Sequence, residues 1–296
     1  LRIFAIKERT KTADSTDKTI FMQNRITEQP SNYRDLETRS IEELTGFINS
    51  EDKSVAPAIE KELPRINALI EVIVEKIKNG GRLFYVGAGS SGRLSVLDVI
   101  ELPTTYGVSP DLFQVILAGG VDRLVEAREE MEDDKNEAWE KLREKGISKK
   151  DIVIGISASG TTPFVLAALT TCRKEHIETG CIVSNPGSPI AAQALYPIEV
   201  ITGPEFITGS TRMKCATAHK MIFDMISTTT MVRLGRIIDN QMVNVKLINH
   251  KITDRATKML MRLGDISDYD MAKEMLFRNG SVQNALKSLN SKNHRA

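Results

Sequence analysis

Hydroxyl-bearing side chains are concentrated in two short stretches of this chain. In each they sit among glycines, directly after an apolar run. The first stretch reads RLFYVGAGSSGRLSVLDVIELP, residues 82–103, and carries Ser90 and Ser91. The second reads DIVIGISASGTTPFVLAAL, residues 151–169, and carries Ser157, Ser159, Thr161 and Thr162. A hydroxyl both donates and accepts, which suits the oxygens of a phosphate. Small residues between a strand and a helix aim backbone N–H groups and a helix N-terminus at one spot, an arrangement that favours an anion. Two such turns point to one phosphorylated ligand held between two strands. A turn kept small only for packing would account for the glycines but not for the paired serines.

Other chemistries fit these residues less well. Gly87-Ala-Gly89-Ser-Ser-Gly92 satisfies the GxGxxG dinucleotide pattern, but strand two then should end in an acidic residue. It ends in Ala118-Gly119-Gly120, so the fingerprint is incomplete. Gly155-Ile-Ser157-Ala-Ser159 misses the nucleophile elbow at its fifth position. None of His176, His219, His250 and His294 falls at a strand end beside an orienting carboxylate, so each is read as structural or solvent-facing. Glu101 lies among Val99, Ile100 and Leu102, where partial desolvation would raise its pKa and suit a general acid. Glu132 lies in EAREEMEDD, which by itself reads as a solvated face. In ITGSTRMKCATAHK, residues 207–220, Ser210, Thr211, Arg212 and Lys214 stand at a helix start, where they either clamp an anion or cap the helix.

These groups need a scaffold, and the apolar pattern supplies one. Val55, Ile59, Leu63, Ile66, Ile70 and Ile73 recur at helical spacing, which predicts a helix over 50–79 that Gly80 and Gly81 stop. Strands and helices then alternate. Strands are expected at 83–86, 113–117, 152–156, 181–183 and 198–201. Helices are expected at 92–100, 122–145 and 163–174, with a short one before strand five. Short apolar runs separated by helices imply a doubly wound parallel sheet covered on both faces. In the flavodoxin-like order 2-1-3-4-5, strands one and three are neighbours and their crossovers leave in opposite directions. The two serine-rich turns then face each other across the resulting crevice. Helices are expected over 210–234 and 243–262, with a small helical tail over 265–290. The domain reading is an α/β unit with N-terminal helices over 22–240 and a helical region over 241–296.

Composition narrows the function classes. The 296 residues hold 41% hydrophobic side chains, enough for a substantial core. Lys and Arg number 40 against 39 acidic residues, so neither nucleic acid nor a solvating acidic arm is indicated. Aromatics are 5% with one Trp, too few for a base-stacking platform. Cys172, Cys181 and Cys215 have neither metal-ligand spacing nor a disulfide count, and are read as reduced thiols in a cytosolic protein. No apolar stretch approaches the length that spans a bilayer. Residues 1–21 are polar and lack a secretory pattern. They are read as a disordered extension or the product of an upstream start, with Met22 resembling a natural one.

The segments YVGAGSSGRLSVLD, ISASGTTPFV, SNPGSPI and ITGSTRMKCATAHK together resemble the N-acetylmuramic acid 6-phosphate etherases, members of the sugar isomerase (SIS) superfamily. Residues 25–59 are similar to that family's amino-terminal signature, so the resemblance covers nearly all of the chain. It implies a SIS fold, a homodimer, no metal or redox cofactor, and release of D-lactate from a muramic acid phosphate in cell-wall amino sugar recycling. By similarity Glu101 aligns with the acid that protonates the lactate oxygen and Glu132 with the second catalytic glutamate. Ser90, Ser91, Ser157, Ser159 and Thr162 would bind the 6-phosphate, with Ser210 and Arg212 also at the substrate. The chain departs from the family where Leu102, Pro103 and Thr104 replace a Cys and two prolines, where Thr161 replaces an Arg, and where Ser95 replaces a Gly. A non-catalytic sugar-phosphate regulator, as in the related glucokinase regulatory protein, and an aldose–ketose phosphate isomerase are the alternatives.

Overall fold

The computed structural model describes residues 25–124 and 129–293; the expectation for residues 1–21 lies outside these. At its centre are five parallel strands: β1 Leu83–Gly87, β2 Phe113–Leu117, β3 Ile152–Ser157, β4 Glu178–Val183 and β5 Tyr196–Glu199. Their order is β2-β1-β3-β4-β5, the flavodoxin-like order expected. Every residue of β1 and β3 is buried, as it must be in a parallel sheet covered on both faces.

Alternate strand residues enter two separate cores, following the two-residue period of a strand. Leu83, Tyr85, Ile152, Ile154 and Ile156 face one core. That core is closed by α3 (Leu63–Lys78), α4 (Gly89–Tyr106) and α7 (Lys214–Arg233). Phe84, Val86 and Val153 face the other, which is closed by α5 (Glu137–Glu144) and α6 (Pro163–Lys174). The thiols of Cys172, Cys181 and Cys215 are all buried and unbridged, and burial pushes each up to about 12.

Several elements differ from the sequence expectation. The helix expected over 50–79 is three helices: α1 Ile41–Asp52, α2 Val55–Glu60 and α3. Turns at Lys53-Ser54 and Lys61-Glu62 interrupt it, and α3 restarts with Pro64, which is tolerated in a first turn. The apolar spacing persists across the breaks because Val55, Ile59, Ile66, Ile70 and Ile73 join one core. Of the helix expected over 122–145, residues 125–128 lie outside the described residues, and among the rest it is regular only over α5. Before it lie 3-10 turns at Val121–Arg123 and Glu129–Asp133. Asp134 Oδ1 accepts the amides of Asn136 (2.8 Å) and Glu137 (3.0 Å), so a side chain competes with the helix ladder. Strand β5 sits two residues earlier than expected. Its Pro197 is accommodated because β5 is an edge strand.

Beyond α7, a two-residue turn joins β6 (Ile237–Ile238) to β7 (Gln241–Met242), and the helix expected from 243 begins only at His250. The helices that follow are α8 His250–Gly264, α9 Tyr269–Asn279 and α10 Val282–Asn293. They close around their own apolar cluster, which includes Val243, Val245, Leu260, Leu276 and Ala285. This module meets the end of α4. Lys246 N donates to Thr104 O at 3.1 Å, and a Cβ at Gly107 would lie 2.2 Å from Asn244 O.

Candidate active site

The first serine turn is shaped by glycines with distinct reasons. Gly89 has φ +56°, in the left-handed region. A Cβ at Gly92 would lie 2.7 Å from Leu117 Cδ1 and 2.8 Å from Gly87 C, so α4 approaches the end of β1 as closely as backbone allows. The amide of Gly92 bonds Ala88 O at 3.0 Å. Those of Gly89, Ser90 and Ser91 precede that bond and are the orphan donors of the helix start. Ser90 is half-buried there. Ser91 is buried, and its Oγ lies 2.9 Å from His219 Nδ1.

His219 links two turns. Its Nε2 lies 3.3 Å from Ser184 Oγ, just after β4. The ring is fully buried, and desolvation pushes its pKa down to about 4, so it is neutral. Sequence reasoning read it as an ordinary histidine. The usable signal was a lone imidazole inside the apolar stretch that became α7. Its contact with Ser91 holds that serine's hydroxyl against the ring.

The second turn is a chain of linked hydroxyls. Ser157 Oγ lies 2.8 Å from Thr162 Oγ1 and 3.2 Å from Ser159 Oγ. The amides of Gly160 and Thr161 donate back to Ser157 Oγ (3.1 Å) and Ser159 Oγ (3.2 Å). Thr161 Oγ1 donates to Ser159 Oγ at 3.1 Å. Gly160 has φ +71°, and a Cβ there would lie 2.3 Å from Ser188 Cβ. Asn185 braces this loop, its Nδ2 donating to Ala158 O (2.9 Å) and Ser159 O (3.2 Å). The same amide bonds Thr27 Oγ1 at 3.0 Å, and Thr27 N donates to Asn185 Oδ1 at 3.3 Å. Ser159, Thr161 and Thr162 are half-buried at the mouth.

Because β1 and β3 are neighbours with Gly87 opposite Ile156, the two turns leave the sheet side by side. Adjacent strands are about 4.8 Å apart. One phosphoryl group can therefore meet amides and hydroxyls from both turns.

The remaining candidates lie elsewhere. Ser210 is half-buried and Arg212 exposed, and both precede α7, which begins at Lys214. The start of α7 is already occupied by a carboxylate. Glu205 accepts the amides of Lys214 and Cys215, each at 2.9 Å. Lys214 is buried and paired with Glu51. An anion clamp formed by α7 itself is thereby filled from within the chain.

Glu101 is exposed, contrary to the partial desolvation expected; the helix turns it outward with Leu97 and Ile100, which are 51% and 56% exposed. It lines a groove of about 400 Å³ between α4 and α7, together with Asp98, Lys220, Asp224 and Ser227. At 1.5 Å per helical residue, Glu101 lies about 16 Å along α4 from Ser90. Glu132 is half-buried in the 3-10 turn Glu129–Asp133, which packs on α6. The chain thus joins the two hydroxyl turns but holds Glu101 apart from them. Among the described residues no three His, Cys, Asp or Glu side chains converge as metal ligands would, and no helix is long and apolar enough to cross a membrane.

Comparison with known proteins agrees with this architecture. The profile of the glucokinase regulatory protein N-terminal SIS domain matches residues 65–173, and that of the SIS domain matches residues 138–229. The chain is 51% identical over 271 residues to the N-acetylmuramic acid 6-phosphate etherase of Porphyromonas gingivalis, covering 92% of this chain and 98% of that one. It is 49% identical over 264 residues to the protein of the same name from Bacteroides thetaiotaomicron, covering 89% and 95%. Among solved structures, a phosphoheptose isomerase from Francisella tularensis superposes with a TM-score of 0.51 at 16% identity, over 65% of this chain and 98% of that one, a likeness of fold.

Proposed function

The chain belongs to the N-acetylmuramic acid 6-phosphate etherase family, and from that membership we propose how its residues carry the reaction. It is a carbon–oxygen lyase that converts N-acetylmuramic acid 6-phosphate to N-acetylglucosamine 6-phosphate and D-lactate, in amino sugar recycling. The 6-phosphate sits between the two serine turns. The amides of Gly89, Ser90 and Ser91 and the hydroxyls of Ser90, Ser159 and Thr162 receive its oxygens, while Ser157 holds the linked hydroxyls in shape. Ser210 and Arg212 line the approach.

The lactyl ether on C3 is a poor leaving group. Opening the sugar ring exposes an aldehyde at C1, which acidifies the proton on C2. Glu132 removes that proton. The C2 electron pair forms the C2–C3 double bond, the C3–O bond breaks, and Glu101 gives the departing lactate oxygen a proton. Water then adds at C3, returning a proton to Glu101, and C2 regains its proton from Glu132. Two carboxyl groups in opposite protonation states suffice for these steps.

The observation that supports this reading most is the side-by-side placement of the two turns on β1 and β3. Bond lengths near 1.5 Å place C3 of a hexose on the order of 7 Å from its 6-phosphorus, against about 16 Å of helix between the backbone positions of Ser90 and Glu101. In this reading Glu101 is supplied by a second subunit of a homodimer, with exposed Leu97 and Ile100 in the contact. The enzyme acts in the cytoplasm on a small sugar phosphate.

The test is direct. Purified protein with N-acetylmuramic acid 6-phosphate should release D-lactate, and Glu101→Gln should bind the substrate without releasing it. A folded wild-type protein that is stabilised by the ligand but releases nothing would make it a sensor. Transfer of the C2 proton to C1 with lactate retained would make it an isomerase.

A further inference from the structure

Asp98 stands one helical turn before Glu101 and lines the same groove. Residues three apart on a helix have their Cβ atoms about 5–6 Å apart. Unlike Glu101, Asp98 is buried. Its Oδ1 accepts Ser227 Oγ at 2.8 Å from α7, while its Oδ2 is buried with no partner among the described residues. Two hydroxyls of the same core, Tyr85 Oη on β1 and Thr230 Oγ1 one turn beyond Ser227, are likewise buried without a partner. The other charged groups facing Asp98 are Lys220 and Asp224 of α7, which pair with each other at 2.5 Å along that helix.

A buried carboxylate with one open oxygen is costly as an anion. Desolvation is the main cause that lifts Asp98 to about 7, with Asp224 adding to it and the Ser227 hydroxyl and Lys220 opposing it. A general acid must hold a proton at the working pH. Glu101 is open to water, and the buried carboxyl beside it in the groove is Asp98.

We propose that Asp98 is the proton store for Glu101, a positioning residue that loads the exposed glutamate before lactate leaves and takes the proton back afterwards. This rests on the etherase reading above. In the first half-reaction the O–H bond of Asp98 breaks as one forms on Glu101, directly or through one water, and Glu101 passes that proton to the ether oxygen as C3–O breaks. In the second half, water adds at C3, its proton goes to Glu101, and Asp98 is reprotonated. The cycle closes with no net proton and no further reactant.

Three variants test this with full pH–rate profiles for D-lactate release. Wild-type kcat should fall as pH rises through about 7. Asp98→Asn, which carries no transferable acid proton, should lower kcat on the order of 10²-fold, leave KM unchanged and abolish that limb, and Asp98→Glu should recover part of the rate. Ser227→Ala removes a hydrogen bond that favours the ionised form, so its limb should move to higher pH, and this readout stands even if the Asp98 variant folds poorly. An unmoved limb in Ser227→Ala, or wild-type kcat and profile in Asp98→Asn, overturns the proposal. Glu101→Gln separates the two readings. If it is inactive while Asp98→Asn behaves as wild type, only the proton store fails; if it is fully active, the role of Glu101 fails as well.

Discussion

If Glu101 serves the neighbouring subunit's turns, two inactive variants should rescue each other. Glu101→Gln removes the acid and leaves the phosphate cradle intact. Ser159→Glu places a carboxylate among the hydroxyls of the second turn, where it repels a phosphate, and leaves Glu101 intact. Each homodimer should lose on the order of 10² or more in rate. In a hybrid dimer one site pairs an intact cradle with an intact Glu101 from across the interface, while the other site carries both defects. Random association makes about half of the dimers hybrid, each with one working site of two, so the mixture should recover about a quarter of the wild-type rate. About 16 Å of α4 separates Ser90 from Glu101, the separation that motivates delivery of the glutamate from across the interface. Co-expression with two different affinity tags, tandem purification of the hybrid and a coupled D-lactate assay give the measurement. A pure hybrid no more active than its parents would refute the shared site and return both groups to one chain.

Three further outcomes follow from the geometry. Gly92→Ala puts a methyl within 2.7 Å of Leu117 Cδ1 and 2.8 Å of Gly87 C; overpacking of this kind costs about 1–3 kcal/mol, which denaturant midpoints at unchanged m-value would show. His219 is neutral when folded down to about pH 4 but takes a proton near 6.5 when unfolded. The unfolded chain therefore binds more protons in that window, and stability falls with falling pH by about 3 kcal/mol in all. Asp98 contributes with the opposite sign between about pH 4 and 7, because its raised pKa makes the folded chain bind more protons. The check is accordingly the difference between wild type and His219→Gln at pH 7 and pH 4.5, and an equal difference at both would remove His219 from the account. Ser159→Ala should raise KM several-fold with kcat nearly unchanged, because phosphate contacts are shared by ground and transition states; an unaltered KM would move the phosphate away from the second turn.

The parts legible in the sequence are those where one local rule dominates. Apolar runs bounded by glycine gave β2 and α6 at their observed ends and β1 and β3 to within a residue, because buried parallel strands leave little room for polar residues. The strand order followed from the crossover logic of doubly wound sheets. Helix breaks were harder to read. The spacing of Val55, Ile59 and Ile66 looks continuous because separate helices feed one core, and the interruptions at Lys53 and Lys61 carry no glycine. Asp134 diverts two amides from a segment whose composition is otherwise helical. At the site, the hydroxyl turns were visible because glycine and serine cluster only where backbone must approach closely. The link from Ser91 through His219 to Ser184 spans 128 and 35 positions, and no local pattern announces it. The exposure of Glu101 is likewise a matter of which way α4 turns its face, which its apolar neighbours misreported.

Glu205 has a wider consequence for how the crevice discriminates. Three helices, α4, α6 and α7, begin near the carboxyl edge of the sheet, and each beginning attracts negative charge. By seating its own carboxylate on the amides of Lys214 and Cys215, the protein keeps a permanent tenant at the third. A sugar that carries both a phosphate and a lactyl carboxylate then meets two such helix starts rather than three. The built-in carboxylate narrows the ways such a sugar could dock back to front.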